Sequence, residues 1–237
     1  PGSIKQFIKD LILLKVIIFN NAEVAFESSE EVILALQSSH EELYRMRLSN
    51  LNSTELKLAQ IISAFEISIE QTVLAALLDV SHEVLKSILN ELEKKNIIDS
   101  LSVSNAPRIN SFNFKKYVYS TINNRIKFHI VLANSIKKLF ADFNIMELAR
   151  QFELANEYEQ SVTFLKKEIL QAEEMNAYAY KRSLLEKALG FELKEKTLTD
   201  LRFELVKTHY KLSDYKQALE TIYRLNTAKF SNDDKDQ

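Results

Sequence analysis

Two glycines in 237 residues, Gly2 and Gly190, restrict this chain more than any motif it contains. A phosphate-cradling loop needs clustered glycines, because only a residue without Cβ tolerates the required backbone angles and the close approach of the ligand. The two glycines lie far apart, so no such loop can form. The same scarcity excludes a dinucleotide-binding fingerprint, a nucleophile elbow flanked by glycines, and a β-rich barrel with many tight turns. Proline is as rare, with two copies. Glycine and proline cost roughly 1 and 3 kcal/mol in a helix interior, so a chain nearly empty of both is expected to be all-α, or mostly so. Pro1-Gly2-Ser3 reads as a cloning remnant.

Formal net charge is -2 and cysteine is absent. Nothing global draws the chain to nucleic acid or an anionic membrane. Disulfides, thiol nucleophiles and thiolate metal sites are excluded. The longest dense apolar run, Leu11 to Phe19, is interrupted by Lys15 and falls short of the roughly 18 residues that a membrane span needs. No signal peptide is visible, so a cytoplasmic protein is expected.

Along the chain, Ile4 to Leu14 carries a helical apolar stripe, and Val16–Phe19 with Val24–Phe26 flank Asn20-Asn21 as a small hairpin. Ser28 to Leu36 fits either period. A helix is predicted from Ser39 to Leu51, with Arg45 and Arg47 on its exposed side. Three helices follow: Thr54–Phe65, capped by Ser53; Ile69 to about Leu78; and one after Ser81 with Leu85, Ile88, Leu89 and Leu92 inward. Ile97–Leu101 and Ile109–Phe114 are β-prone and separated by turn residues. Three helices and a two-stranded ribbon are the order of a winged-helix-like domain with a small β-wing. The chain then returns to helix from Lys116 to Phe140, broken near Asn123-Asn124, and stays helical to about Asn226.

The most informative pattern is an internal repeat. Leu148, Ala149, Phe152, Tyr158, Ser161 and Leu165 recur 57 residues later as Leu205, Val206, His209, Tyr215, Ala218 and Ile222. A tyrosine followed at the third position by a small residue, and four further on by an aliphatic, suits paired antiparallel helices. The small side chain allows close approach and the large ones interlock. Tyr178, Leu185 and Ala188 form a third copy of the second-helix pattern. TPR-like antiparallel helical hairpins are therefore expected. The resulting division is 1–38, an end-of-lid helix and hairpin; 39–140, the winged-helix-like domain with flanking helices; 141–228, the TPR-like repeats; and 229–237, a disordered polar tail.

Read in order, these pieces resemble the region that follows the nucleotide-binding core in signal-transduction ATPases with numerous domains (STAND). The resemblance rests on Phe7–Leu14, Tyr44–Asn52, Glu55–Phe65, Val84–Ile98, Phe112-Asn113-Phe114, Phe128-His129 with Leu132-Ala133, and Asn156-Glu157-Tyr158. Two departures stand out. Lys116 occupies a place where the family often has histidine, and the Walker loops and sensor residues are missing from this sequence. The resemblance implies a regulatory role: the repeats receive a partner or inducer, and the winged helix relays that event to an ATPase core or output domain. Transcription regulation belongs to that picture.

Chemistry-bearing residues are scattered. His40, His82, His129 and His209 form no metal-ligand spacing. His209 stands where the other repeat has Phe152, which assigns it to interhelix packing, and His82 to a first helical turn. Glu30-Glu31, Glu41-Glu42 and Glu173-Glu174 read as solvated faces, and no serine is placed for activation. No catalytic residue, cofactor or metal is expected, and the chain is not read as an enzyme.

Between Asp99 and Asp142 no acidic residue occurs, while Arg108, Lys115, Lys116, Arg125, Lys127, Lys137 and Lys138 are basic. With Phe112, Phe114, Tyr117 and Tyr119 interleaved, this stretch can bind a phosphate backbone or an acidic partner. In the plainer reading the aromatics are core and the lysines pair with the acidic segment 142–174. The expected recognition helix, His82–Asn96, mixes Glu83, Glu91 and Glu93 with Lys86, Lys94 and Lys95, which suits DNA poorly. The sequence is therefore read first as an interaction and signal-relay module for a protein or peptide partner. The alternative is a nucleic-acid-binding transcriptional regulator using 108–138.

Overall fold

The structure, a computed structural model, describes residues 17–20, 23–26, 40–99 and 106–223. The expected helix 4–14, the ambiguous segment 28–36 and the polar tail 229–237 lie outside them. Strands β1 (Ile17–Asn20) and β2 (Glu23–Phe26) pair antiparallel, with Ile17 opposite Phe26 and Asn20 opposite Glu23. This is the expected hairpin.

All else described is mainly helical, and the chain divides into two compact units, Pro1–Asn123 and Asn124–Gln237. The first holds α1 (His40–Ser49), α2 (Ser53–Ala64), α3 (Gln71–Leu78), α4 (His82–Lys94) and α5 (Phe112–Ser120). The cap of α2 is Asn52 instead of Ser53: its Oδ1 accepts from Thr54 N at 3.0 Å and Glu55 N at 2.9 Å, while Glu55 Oε2 accepts from Asn52 N at 2.9 Å. A reciprocal box needs a carboxylate three residues into the helix, and only Asn52 has Glu55 at that spacing. Glu55 also pairs with Lys95 Nζ at 2.6 Å, tying the end of α4 to the start of α2. Leu58, Ile61 and Phe65 meet Leu74 and the stripe Leu85, Leu89, Leu92 in a fully buried core.

Beyond α4, Ile98 and Ile109 form a single antiparallel bridge, held by Asp99 N to Arg108 O at 2.8 Å and Asn110 N to Ile97 O at 3.3 Å. The wing strand expected to continue to Phe114 does not. From Phe112 the chain is helical, with Ser111 as cap. Phe114 and Val118, one turn apart, are both fully buried, and this burial outweighs the β-propensity of Phe-Asn-Phe. Arg47 also departs from expectation, being 5% exposed. Its guanidinium lies 3.9 Å above the Phe114 ring and donates to Asn96 O and, at 3.4 Å, to Asn110 Oδ1. A planar cation can stack and donate at once, so it replaces a hydrophobe at the junction of α1, α5 and the turn after α4.

The second unit begins with Asn124, whose Oδ1 caps α6 (Arg125–Leu139) at Lys127 N, 2.9 Å away. The break near Asn123-Asn124 is where expected. The boundary between compact units falls there instead of near 140, because the buried stripe His129, Leu132, Ala133 and Ile136 faces α7 (Ile145–Leu154). After α7 come α8 (Tyr158–Glu174), α9 (Tyr178–Leu189), α10 (Glu195–Lys211) and a helix over 215–223, α11. Each of α6 to α10 packs on its sequence neighbour, giving TPR-like hairpins. α8 serves both as partner of α7 and as partner of α9.

Asn156, Asn176 and Ser213, in turns of this unit, have φ of 58°, 55° and 60°. Each turn closes with two backward bonds, such as Asn156 N to Glu153 O and Glu157 N to Phe152 O, both 2.9 Å. This left-handed helix ending usually takes glycine. The one described glycine, Gly190, instead has φ of -76°.

Candidate binding groove

The second unit carries two adjoining hollows of about 760 and 550 Å³ that share Glu173, Phe203, Val206 and Ile222. Their walls are the C-terminal half of α8 (Ile169, Leu170), the inner face of α9, α10 and α11. Heptad-like spacing on α10 places Leu201, Leu205 and Thr208 in the core and leaves Phe203 and Val206 on the groove side. Leu170, Phe203, Tyr215 and Leu219 are all more than half exposed, with Phe203 at 54%. Single exposed hydrophobes are ordinary; several converging on one concavity mark a contact site.

At the groove sits a charge that composition did not announce. Lys181, 1% exposed, donates from Nζ to Glu173 Oε2 at 2.9 Å and Glu204 Oε2 at 3.0 Å. Lys207 reaches the other oxygen of Glu204 at 2.8 Å. The cluster joins α8, α9 and α10. Burial pulls the Lys181 pKa down, but its hydrogen bonds and attraction to the two glutamates outweigh that and leave it raised. Burial pushes Glu204 up, and the two lysines more than reverse it, leaving it lowered. Lys181 and Glu204 are therefore both charged at neutral pH. Glu173, read from sequence as part of a solvated face, stays partly solvated and is also a partner of a buried lysine.

The repeat contains the signal that finds Lys181. Tyr158, Tyr178 and Tyr215 are followed at the third position by Ser161, Lys181 and Ala218. All three are buried. A lysine at a position that the repeat marks as buried must find carboxylates.

Of the repeat residues, Leu148, Ala149, Phe152, Ser161 and Leu165 are buried around α7 and α8, where Phe152 and Phe164 stack with centroids 5.5 Å apart. Tyr158, half-buried, stacks on Phe191 at 5.2 Å. In the later copy Leu205, His209 and Ala218 are buried, and Val206, Tyr215 and Ile222, more exposed, line the groove together with Ala218. His209 is a packing residue, with Nδ1 3.9 Å from Asp214 Oδ2.

The basic stretch is divided between the two units. In the first, Arg108 Nε donates to Ser68 Oγ at 2.6 Å, Lys115 Nζ donates to Phe65 O, and Lys116 stacks over Phe112 at 4.5 Å. Phe114 is core, Tyr117 packs 5.5 Å from Tyr44, and Phe112 is exposed. In the second, Arg125, Lys127, Lys137 and Lys138 are exposed on α6, and Lys137 Nζ donates to Gln160 Oε1 at 3.1 Å. Inside α6, His129 Nδ1 meets Gln151 Oε1 at 2.6 Å, and Gln151 Nε2 donates to Glu147 Oε1 at 2.8 Å. Burial lowers the His129 pKa, against a smaller rise from Gln151. Among the described residues no group of three or more histidines or carboxylates could hold a metal, and no helix is long and apolar enough to cross a membrane.

No protein-family profile matches the chain, and no curated protein matches it. Among solved structures it is similar to a STAND protein with a tetratricopeptide-repeat sensor from Pyrococcus horikoshii, at 14% identity and a TM-score of 0.42, over 95% of this chain and 38% of that one.

Proposed function

We propose that this chain is a non-catalytic protein-interaction and signal-relay module of a STAND-like regulatory protein, which binds a protein or peptide partner through its TPR-like helices. The observation that carries the reading is the groove: a concavity lined by exposed Phe203, Tyr215 and Ile222 beside a charged cluster. Apolar anchors with a few fixed charges are what peptide recognition requires. The core of α2 to α4 with its Ile98–Ile109 bridge is read as winged-helix-like and used for protein contacts. The resemblance of the ordered pieces supplies the relay, in a cytoplasmic setting.

Selection of a random peptide library on the intact chain tests this. Enriched peptides should lose binding to Phe203→Asp and to a truncation after Asn144. Failure to enrich any sequence, or equal binding to the variants, would overturn the reading. The nucleic-acid alternative requires a salt-sensitive gel shift that disappears when Lys115, Lys116, Arg125 and Lys127 become glutamate. The internal hydrogen bonds of Arg108 and Lys115 favour the protein reading.

A further inference from the structure

A third hollow, of about 360 Å³, lies away from the groove, where α6, α7 and α8 meet. Phe140, Ala141, Leu148 and Phe164 give it an apolar surface, and Lys137 and Lys167 supply its charge. No aspartate or glutamate lines it. The Lys137 and Lys167 ammoniums lie 5.9 and 5.3 Å from the centroid of the same Phe164 ring, and Lys137 is also 5.7 Å from that of Phe152. No carboxylate pairs with either among the described residues; Lys137 uses one of its three protons on Gln160. Lys181 and Lys207 differ, since both have glutamate partners. Of the other polar groups here, Thr163 spends its hydroxyl proton on Glu159 O at 2.8 Å, and Gln160 donates from Nε2 to Glu157 Oε2 at 3.5 Å. Donation to a ligand therefore falls to the two ammoniums.

We propose that this hollow binds a phosphate monoester carried on a flat apolar body. Two cations without counter-charge match a dianion. A phosphate monoester, with its second pKa near about 6, carries close to two negative charges at pH 7. A carboxylate would neutralise one ammonium and leave the other unanswered. The apolar surface takes a ring against Phe140 and Ala141, above the buried Leu148 and Phe164, and the volume, near the low end of the roughly 300–1,000 Å³ usual for ligand sites, suits one or two rings. The site shares no lining residue with the groove.

Titration calorimetry of the full chain at pH 7.5 with phenyl phosphate, phenol, inorganic phosphate and benzoate tests the assignment. Phenyl phosphate should bind at least about tenfold tighter than the other three, and weaken as pH falls to 5 and the ester gains a proton. Lys137→Met and Lys167→Met keep the aliphatic stems and should each weaken it at least about tenfold, while Phe203→Asp in the groove leaves it unchanged. Lys167 is exposed, so its variant should fold and carries the test if Lys137→Met does not. Equal affinity for phenol or benzoate would overturn the proposal, as would unchanged binding in the lysine variants or loss in Phe203→Asp.

Discussion

The hairpin of α7 and α8 and that of α10 and α11 carry the same residue pattern and use it differently. In the first, Phe152 and Phe164 stack face to face, Ser161 and Leu165 are fully buried, and the pattern closes a core. In the second, Leu205, His209 and Ala218 are buried, but Tyr215 and Ile222 stand at 56% and 38% exposure beside the groove. The pattern specifies a hairpin. Whether its outer positions become core or contact surface depends on what packs next to them, the nearest-neighbour logic of stacked repeats.

Substitutions at matched positions sharpen the contrast. Phe152→Ala should cost about 3–5 kcal/mol in denaturant unfolding, and its counterpart His209→Ala only about 1–2 kcal/mol; equal costs would break the distinction. Lys181→Ala restores the small residue of the other copies, yet should destabilise by about 2–3 kcal/mol because it removes a buried charge shared by two glutamates that remain partly solvated. Lys181→Met fills the same volume without charge and should cost less than Lys181→Ala. If Lys181→Ala is neutral, the third copy packs like the first. Ser213→Gly should stabilise by about 0.5–1 kcal/mol by relieving its left-handed backbone, and Asn156→Gly by less, since asparagine tolerates that region better. Tyr215→Ala should stay within about 0.5 kcal/mol while weakening selected peptides.

A pH test addresses the contact between α6 and the first hairpin, where His129 meets Gln151. The folded-state pKa of His129 is lowered, so the native state binds fewer protons than the unfolded chain. Its contribution is present in full above the ordinary histidine value of about 6.5 and is lost as pH falls through the depressed folded value. His129→Gln should flatten that part of the stability profile between pH 7 and 5; an unchanged slope would remove His129 from the account.

Local periodicity made much of this fold legible. Leu85, Leu89 and Leu92 reveal α4, and the tyrosine spacing reveals the hairpins, because each signal is completed within a turn or two of helix. What escaped depends on distant partners. Phe112-Asn113-Phe114 has β-propensity, and only the core formed with Tyr44 and Arg47 makes a helix of it. Arg47 is an exposed charge on any isolated helix and an interior one here. The groove's Phe203 and Glu204 carry no motif. Lys181 is legible in the repeat, because it stands where the other copies have serine and alanine.

The left-handed turns at Asp79, Asn96, Asn156, Asn176 and Ser213 are made without glycine. Glycine would ease each turn in the native state but would loosen the chain before folding, where its extra backbone freedom must later be given up. By using asparagine, aspartate and serine, the protein accepts local strain in the folded form and gains a stiffer unfolded ensemble. The scarcity of glycine thus shapes the disordered chain as well as the helical one.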